Sequence, residues 1–219
     1  MKTADLIAQL VADARPVRRL RPAGTRALLW LVLPALVFGL LALAHGTRAD
    51  LAARLHEPDF VLALGASLST GVLAAVASFM LNLPDRTRAW GLLPVPALLL
   101  WLASIGHACL ANWVNLSTEG MQAGETARCF ATVLITSLPL SLSIFAMLRN
   151  GAVLTPNPVT LTASLAVGAM SATAISLFHQ LDASVLVLLW NFGLAGVLMA
   201  IGTFFGHRVL AGKTWILAS

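Results

Sequence analysis

FVLALGASLSTGVLAAVASFML, the stretch from Phe60 to Leu81, carries no Asp, Glu, Lys or Arg and shows no polar face at helical spacing. A transmembrane helix needs about 20 such residues to cross a hydrocarbon core ~30 Å thick, so this stretch can span alone. The strict polar/apolar alternation of a membrane β-strand is absent. Five further charge-free stretches flank it: Ala27 to Ala44, Trp90 to Ile105, Cys129 to Leu148, Val159 to Phe178 and Ala183 to Gly206. The one starting at Trp90 is the shortest and draws on Gly106 to Leu110 to complete its crossing. The expected fold is all-α, a polytopic bundle of six transmembrane helices with short loops. Residues 1–26 form a cytoplasmic segment, 27–206 the membrane domain and 207–219 a short cytoplasmic tail.

Composition agrees. Of the 219 residues, 58% are hydrophobic and 11% charged, and the mean hydropathy is +0.86. A soluble domain has about 45–50% apolar and about 25% charged residues, and this chain has too little polar surface to face water all round. Its net charge of +5 and pI of about 10.6 would suit nucleic acid only if the basic residues shared a face. They follow the topology instead. With the N-terminus inside, eleven of the fourteen Lys and Arg fall on the cytoplasmic side, and Arg48, Arg54 and Arg128 fall outside with six of the nine acids. Both termini are therefore expected in the cytoplasm. Trp30, Trp90 and Trp215 fall at inner helix ends, where indoles commonly act as interfacial anchors. Ala42-Leu43-Ala44 resembles a signal-peptidase site, but the basic region before it and the apolar run are both longer than a secretory peptide's.

Chemistry is sparse. No ionisable residue lies inside the six stretches, where one would mark transport or catalysis. Phosphate-binding loops, dinucleotide fingerprints and hydrolase motifs are missing, so no enzyme and no cofactor are expected. Ser and Thr are plentiful, and pairs such as Ser67-x-x-x-Gly71 and Ser164-x-x-x-Gly168 read as close-packing seams. His107 and His179, near outer helix ends, are weak metal candidates. In His179-Gln180-Leu181-Asp182-Ala183-Ser184, Asp182 or Ser184 is expected to cap the sixth helix.

Cys109 closes the third helix and Cys129 opens the fourth, so a helical hairpin brings both to the outer boundary. Three readings stand: a structural or redox-active disulfide, a metal-responsive thiol pair, and two unrelated buried cysteines. On the inner side, Thr3 to Ala14 reads as an amphipathic helix ended by Pro16. Leu6, Leu10 and Ala14 line one stripe, with Ile7 and Val11 beside it. Its polar face lacks the Lys and Arg of a membrane-surface helix, so the stripe suits a groove on a partner protein. The Arg15 to Arg26 tract reads as an anchor to anionic lipid.

Together, Thr3-Ala4-Asp5-Leu6-Ile7, Ala12-Asp13-Ala14-Arg15-Pro16-Val17-Arg18, the six-span layout, a cysteine at each end of the second outer loop and His179-x-Leu181-Asp182-Ala183-Ser184 resemble the NrsF family of anti-sigma factors (negative regulator of sigma F), over essentially the whole chain. The resemblance implies a bacterial inner-membrane protein that holds an extracytoplasmic-function sigma factor inactive until an outer stress acts. It also implies a sensing role for Cys109 and Cys129, and no direct contact with nucleic acid. The zinc type of anti-sigma factor, which needs cytoplasmic His and Cys ligands, does not fit. A small transporter or channel using the Ser/Thr rows, and a structural subunit of a larger membrane complex, are the alternatives from other classes.

Overall fold

The computed structural model describes Thr3, Asp5, residues 11–12, 21–111, 123–149 and 156–178, Val197 and Ala200. Over these residues the chain is helical with no strand. Four helices have membrane-crossing length and apolarity, α1 (Ala23–His45), α2 (Pro58–Leu81), α4 (Ala123–Leu148) and α5 (Pro156–Phe178), and α3 (Val95–Ala111) completes a fifth span, Arg88–His107, together with the turn before it. The chain is a membrane protein. A one-turn helix, Leu51–Arg54, follows α1, and a 3-10 turn, Arg88–Leu92, precedes α3. The sixth expected span lies outside the described residues, apart from Val197 and Ala200.

Local chemistry sets the ends. Pro58 occupies the first position of α2, where its missing N–H costs nothing, and Asp59 in the same turn complements the helix dipole. Gly46 stops α1 at φ 73°, a left-handed conformation that only glycine adopts without strain, and its N–H closes on the Ala42 carbonyl at 3.0 Å.

The bundle centres on α5, which packs against α2, α4 and α1. Lipid is as apolar as a side chain, so close packing and interhelical hydrogen bonds must join the helices. Small residues make that approach feasible: Ala66, Ser67, Thr70, Ala74 and Ala75 on α2 face Ala163, Ala166, Ala169 and Thr173 on α5, and all are buried. Gly71 is a close contact, since a Cβ there would lie 3.0 Å from Met170 Cε. Ser67 and Thr173 share a hydrogen bond of 3.0 Å, and Thr136 of α4 donates to Ser171 of α5 at 3.5 Å. Most of the other hydroxyls bond their own helix, as Thr70 does to Ala66 O at 2.7 Å and Ser78 to Ala75 O at 2.8 Å. The outer surface presents Leu28, Leu36, Leu40, Leu43, Leu99 and Leu142 to lipid.

Three expectations change. Trp30 is not an interfacial anchor: it is 1% exposed, and its indole Nε1 donates to Leu140 O at 3.3 Å and Ser143 Oγ at 3.0 Å on α4. Arg26 does not reach toward lipid: it lies within α1, 5% exposed, turned into the bundle. The third and fourth spans are consecutive but not packed neighbours among the described residues. α3 lies on α2, with Trp101 against Ala66, Ala169 and Ala172, whereas α4 packs on α5 and α1.

Candidate functional site

At one end of the bundle, an ordered connection joins α1 to α2. The Arg48 guanidinium grips both carboxylate oxygens of Asp50 at 2.7 Å, and its Cζ sits 5.6 Å from the centre of the Phe60 ring. Arg54 approaches Asp50 at 3.5 Å and Glu57 at 2.9 Å. The hydrogen bond from Arg48, with desolvation opposing it, lowers the Asp50 pKa to about 2. Backbone ties this loop to the core, because Arg48 N–H donates to Leu177 O at 3.2 Å, near the end of α5. Arg48 and Arg54 are thus neutralised locally by the acids beside them. Arg48-x-Asp50 and the three-residue step from Arg54 to Glu57 were the signals for this cluster, and a topology count alone passes over them.

Cys109 sits in the last turn of α3 and Cys129 in the second turn of α4. Their side chains, like His179, lie outside the described residues. His107 is exposed on α3.

The opposite end carries a cluster missed by sequence reasoning. Arg26, in the first turn of α1, donates through Nη2 to the Met147 carbonyl, and its Cζ stands 5.1 Å from the centre of the Phe79 ring of α2. One residue further along α4, the Leu148 carbonyl accepts from Asn82 Nδ2 at 3.3 Å. Asn82 caps the C-terminus of α2 and is fully buried. A cation and an amide therefore serve two of the last carbonyls of α4, which lack partners within their own helix and carry the negative end of its dipole. These contacts gather the start of α1 and the ends of α2 and α4 at one face, as antiparallel threading requires. Arg21, Arg86, Arg88 and Arg149 are exposed on or next to the segments leaving that face.

Of the expected docking stripe, Val11 falls among the described residues. It is helical, as are Thr3, Asp5 and Ala12, and it is 69% exposed. Leu6, Ile7, Leu10 and Ala14 lie outside the described residues.

A family model described as NrsF, negative regulator of sigma F, matches residues 10–211. The chain belongs to the NrsF family. Membership makes it a negative regulator of a sigma factor, with a sigma factor as its partner. No curated protein and no solved structure matches it.

Proposed function

We propose that this NrsF-family chain sequesters an extracytoplasmic-function sigma factor at the bacterial inner membrane, with both termini cytoplasmic, and releases it when an outer redox or metal stimulus acts on Cys109 and Cys129. The reading assigns it no catalytic step and no cofactor. The docking element is the amphipathic segment, through Leu6, Ile7, Leu10, Val11 and Ala14. The observation that carries this is Val11, an apolar side chain of the stripe that the bundle leaves exposed. Apolar surface held in water at helical spacing is what a helix-in-groove partner covers.

The charge distribution supports the orientation. One face bears exposed Arg21, Arg86, Arg88 and Arg149, while Arg48 and Arg54 at the other are bound to Asp50 and Glu57. Reporter fusions at Asn82 and Asn150 should be active only as cytoplasmic fusions, and activity as outside fusions would overturn the orientation. A transporter is less well supported, because many of the buried hydroxyls that would line its path are engaged with their own helices.

Replacing Leu6 and Leu10 by Asp tests the docking element. Losing one buried Leu costs about 1.5–3 kcal/mol, or about ten- to hundredfold in affinity. The double variant should stay in the membrane, lose its sigma partner in pull-down and raise target transcription. Retained binding with unchanged transcription would make the helix a membrane-surface anchor only.

A further inference from the structure

Three segments leave the inner face, and all three start from the same side-chain cluster. The N-terminal segment enters α1 just before Arg26, the α2–α3 connection begins at Asn82, and the chain after α4 begins at Arg149, next to the Leu148 carbonyl that Asn82 holds. Arg26 on Met147 O and Asn82 on Leu148 O thus fix the points at which all three leave the bundle. Phe79 completes the junction by covering the guanidinium.

The junction is also incompletely satisfied. Arg26 Nη1 and Asn82 Oδ1 are buried and have no hydrogen-bond partner among the described residues. A buried polar atom without a partner keeps its full desolvation cost. Water would satisfy both atoms if the junction opened to the cytoplasm. Closed and open arrangements therefore lie closer in free energy than a fully bonded junction would allow. A fully apolar junction would give no such balance.

We propose that Arg26 and Asn82 are positioning residues, a releasable clasp on the inner end of α4 that sets where three cytoplasmic segments leave the bundle, and through those exit points the docking of the sigma partner. This rests on the sequestration reading above and adds to it that the N-terminal helix does not act alone. Closed, the clasp holds the three exit points together, and opening it separates them and weakens partner binding. α4 runs from Cys129 near the outer boundary to Met147 in the clasp, so a displacement of its outer end has a continuous helical path to those exit points.

The test uses the full chain in its own membrane with a sigma-dependent reporter, and membrane abundance is measured by immunoblot. Arg26→Met removes the donors while keeping much of the bulk, and should raise transcription about tenfold, within the usual range of coupling between sites. Arg26→Lys keeps a donor for Met147 O and should recover part of the repression. If Arg26→Met fails to accumulate, Asn82→Ala is read in the same way, and loss of both variants from the membrane would reduce the clasp to a folding element and overturn the proposal. Wild-type repression by Arg26→Met at normal abundance, or no recovery in Arg26→Lys, would also overturn it. The Leu6→Asp/Leu10→Asp variant, run in parallel, separates the two ideas. If it derepresses while Arg26→Met does not, the clasp fails and helix docking stands; the reverse result keeps the clasp and removes the helix as the docking element. If neither derepresses, both fail.

Discussion

Trp30 and Leu140 are joined across the α1–α4 interface: the indole Nε1 donates to the Leu140 carbonyl at 3.3 Å, one residue past Pro139, and shares its proton with Ser143 Oγ at 3.0 Å. Pro139 lacks an N–H, so the Ile135 carbonyl one turn back has no ladder donor. The indole binds α4 just past that gap. Because Trp30 lies one turn from Arg26, the same stretch of α1 contacts α4 at both points.

Trp30→Phe keeps most of the packing and deletes the two hydrogen bonds. Interhelical hydrogen bonds in bilayers are worth about 0.6 kcal/mol on average and about 1.7 kcal/mol at most, so the loss should fall in that range. Unfolding in mixed micelles would measure it. Trp30→Ala should cost clearly more, because a fully buried ring leaves a cavity at the α1–α4 interface.

Span positions were legible in the sequence because bilayer thickness dictates them. The charge-free stretches end at Leu81, Leu148 and Phe178, where α2, α4 and α5 end. Which face turns inward was not legible. A helix that is apolar all round carries no directional signal, so Trp30 and Arg26 read as interfacial when they are core. Neighbour choice was hidden for a related reason. The hairpin argument pairs α3 with α4, whereas the small residues of α2 and α5 admit each other first and α3 then lies against α2. The clasp was invisible because Asn82 and Arg26 become partners of α4 only after all three helices are placed.

Gly71 and Met170 give a packing test at the centre. A Cβ at position 71 meets Met170 along its side chain, Cε at 3.0 Å, Cγ at 3.2 Å and Sδ at 3.3 Å, so Gly71→Ala should cost less than Gly71→Val only as far as that thioether can shift. Gly71→Val cannot be absorbed in this way, and overpacking of this kind costs about 1–3 kcal/mol. Adding Met170→Ala should restore part of the loss, a coupling that a double-mutant cycle would read.

The loop between α1 and α2 should respond to acid. Folding lowers the Asp50 pKa to about 2, below its value in an unfolded chain, so its ion pair with Arg48 stabilises the loop above the ordinary carboxylate range. That contribution falls away as pH drops toward 2. Amide protection over residues 46–57, referred to the intrinsic exchange rate at each pH, should stay high near neutrality and fall in that acid window. Asp50→Asn should show the lower protection already at neutral pH, because buried Arg48 then loses its bidentate partner.

Cys109 and Cys129 should be reachable from outside and able to cross-link. The argument starts from their places in the last turn of α3 and the second turn of α4, at one end of the bundle. A disulfide needs Cα atoms about 4.4–6.8 Å apart. Among the described residues α3 rests on α2 while α4 rests on α5 and α1, so the bond would join the outer ends of two helices that do not support each other along their lengths. Forming or breaking it should therefore shift the outer end of α4 relative to α2, and should do so more than a cross-link between packed neighbours would. Labelling with a membrane-impermeant maleimide, before and after reduction, tests the first part, with more label expected after reduction. Amide exchange over residues 131–138, compared in oxidised and reduced protein, tests the second and should differ between the two states. If both cysteines stay unlabelled after reduction, or if Cys129→Ser leaves signalling unchanged, they are packing residues and the stimulus enters elsewhere.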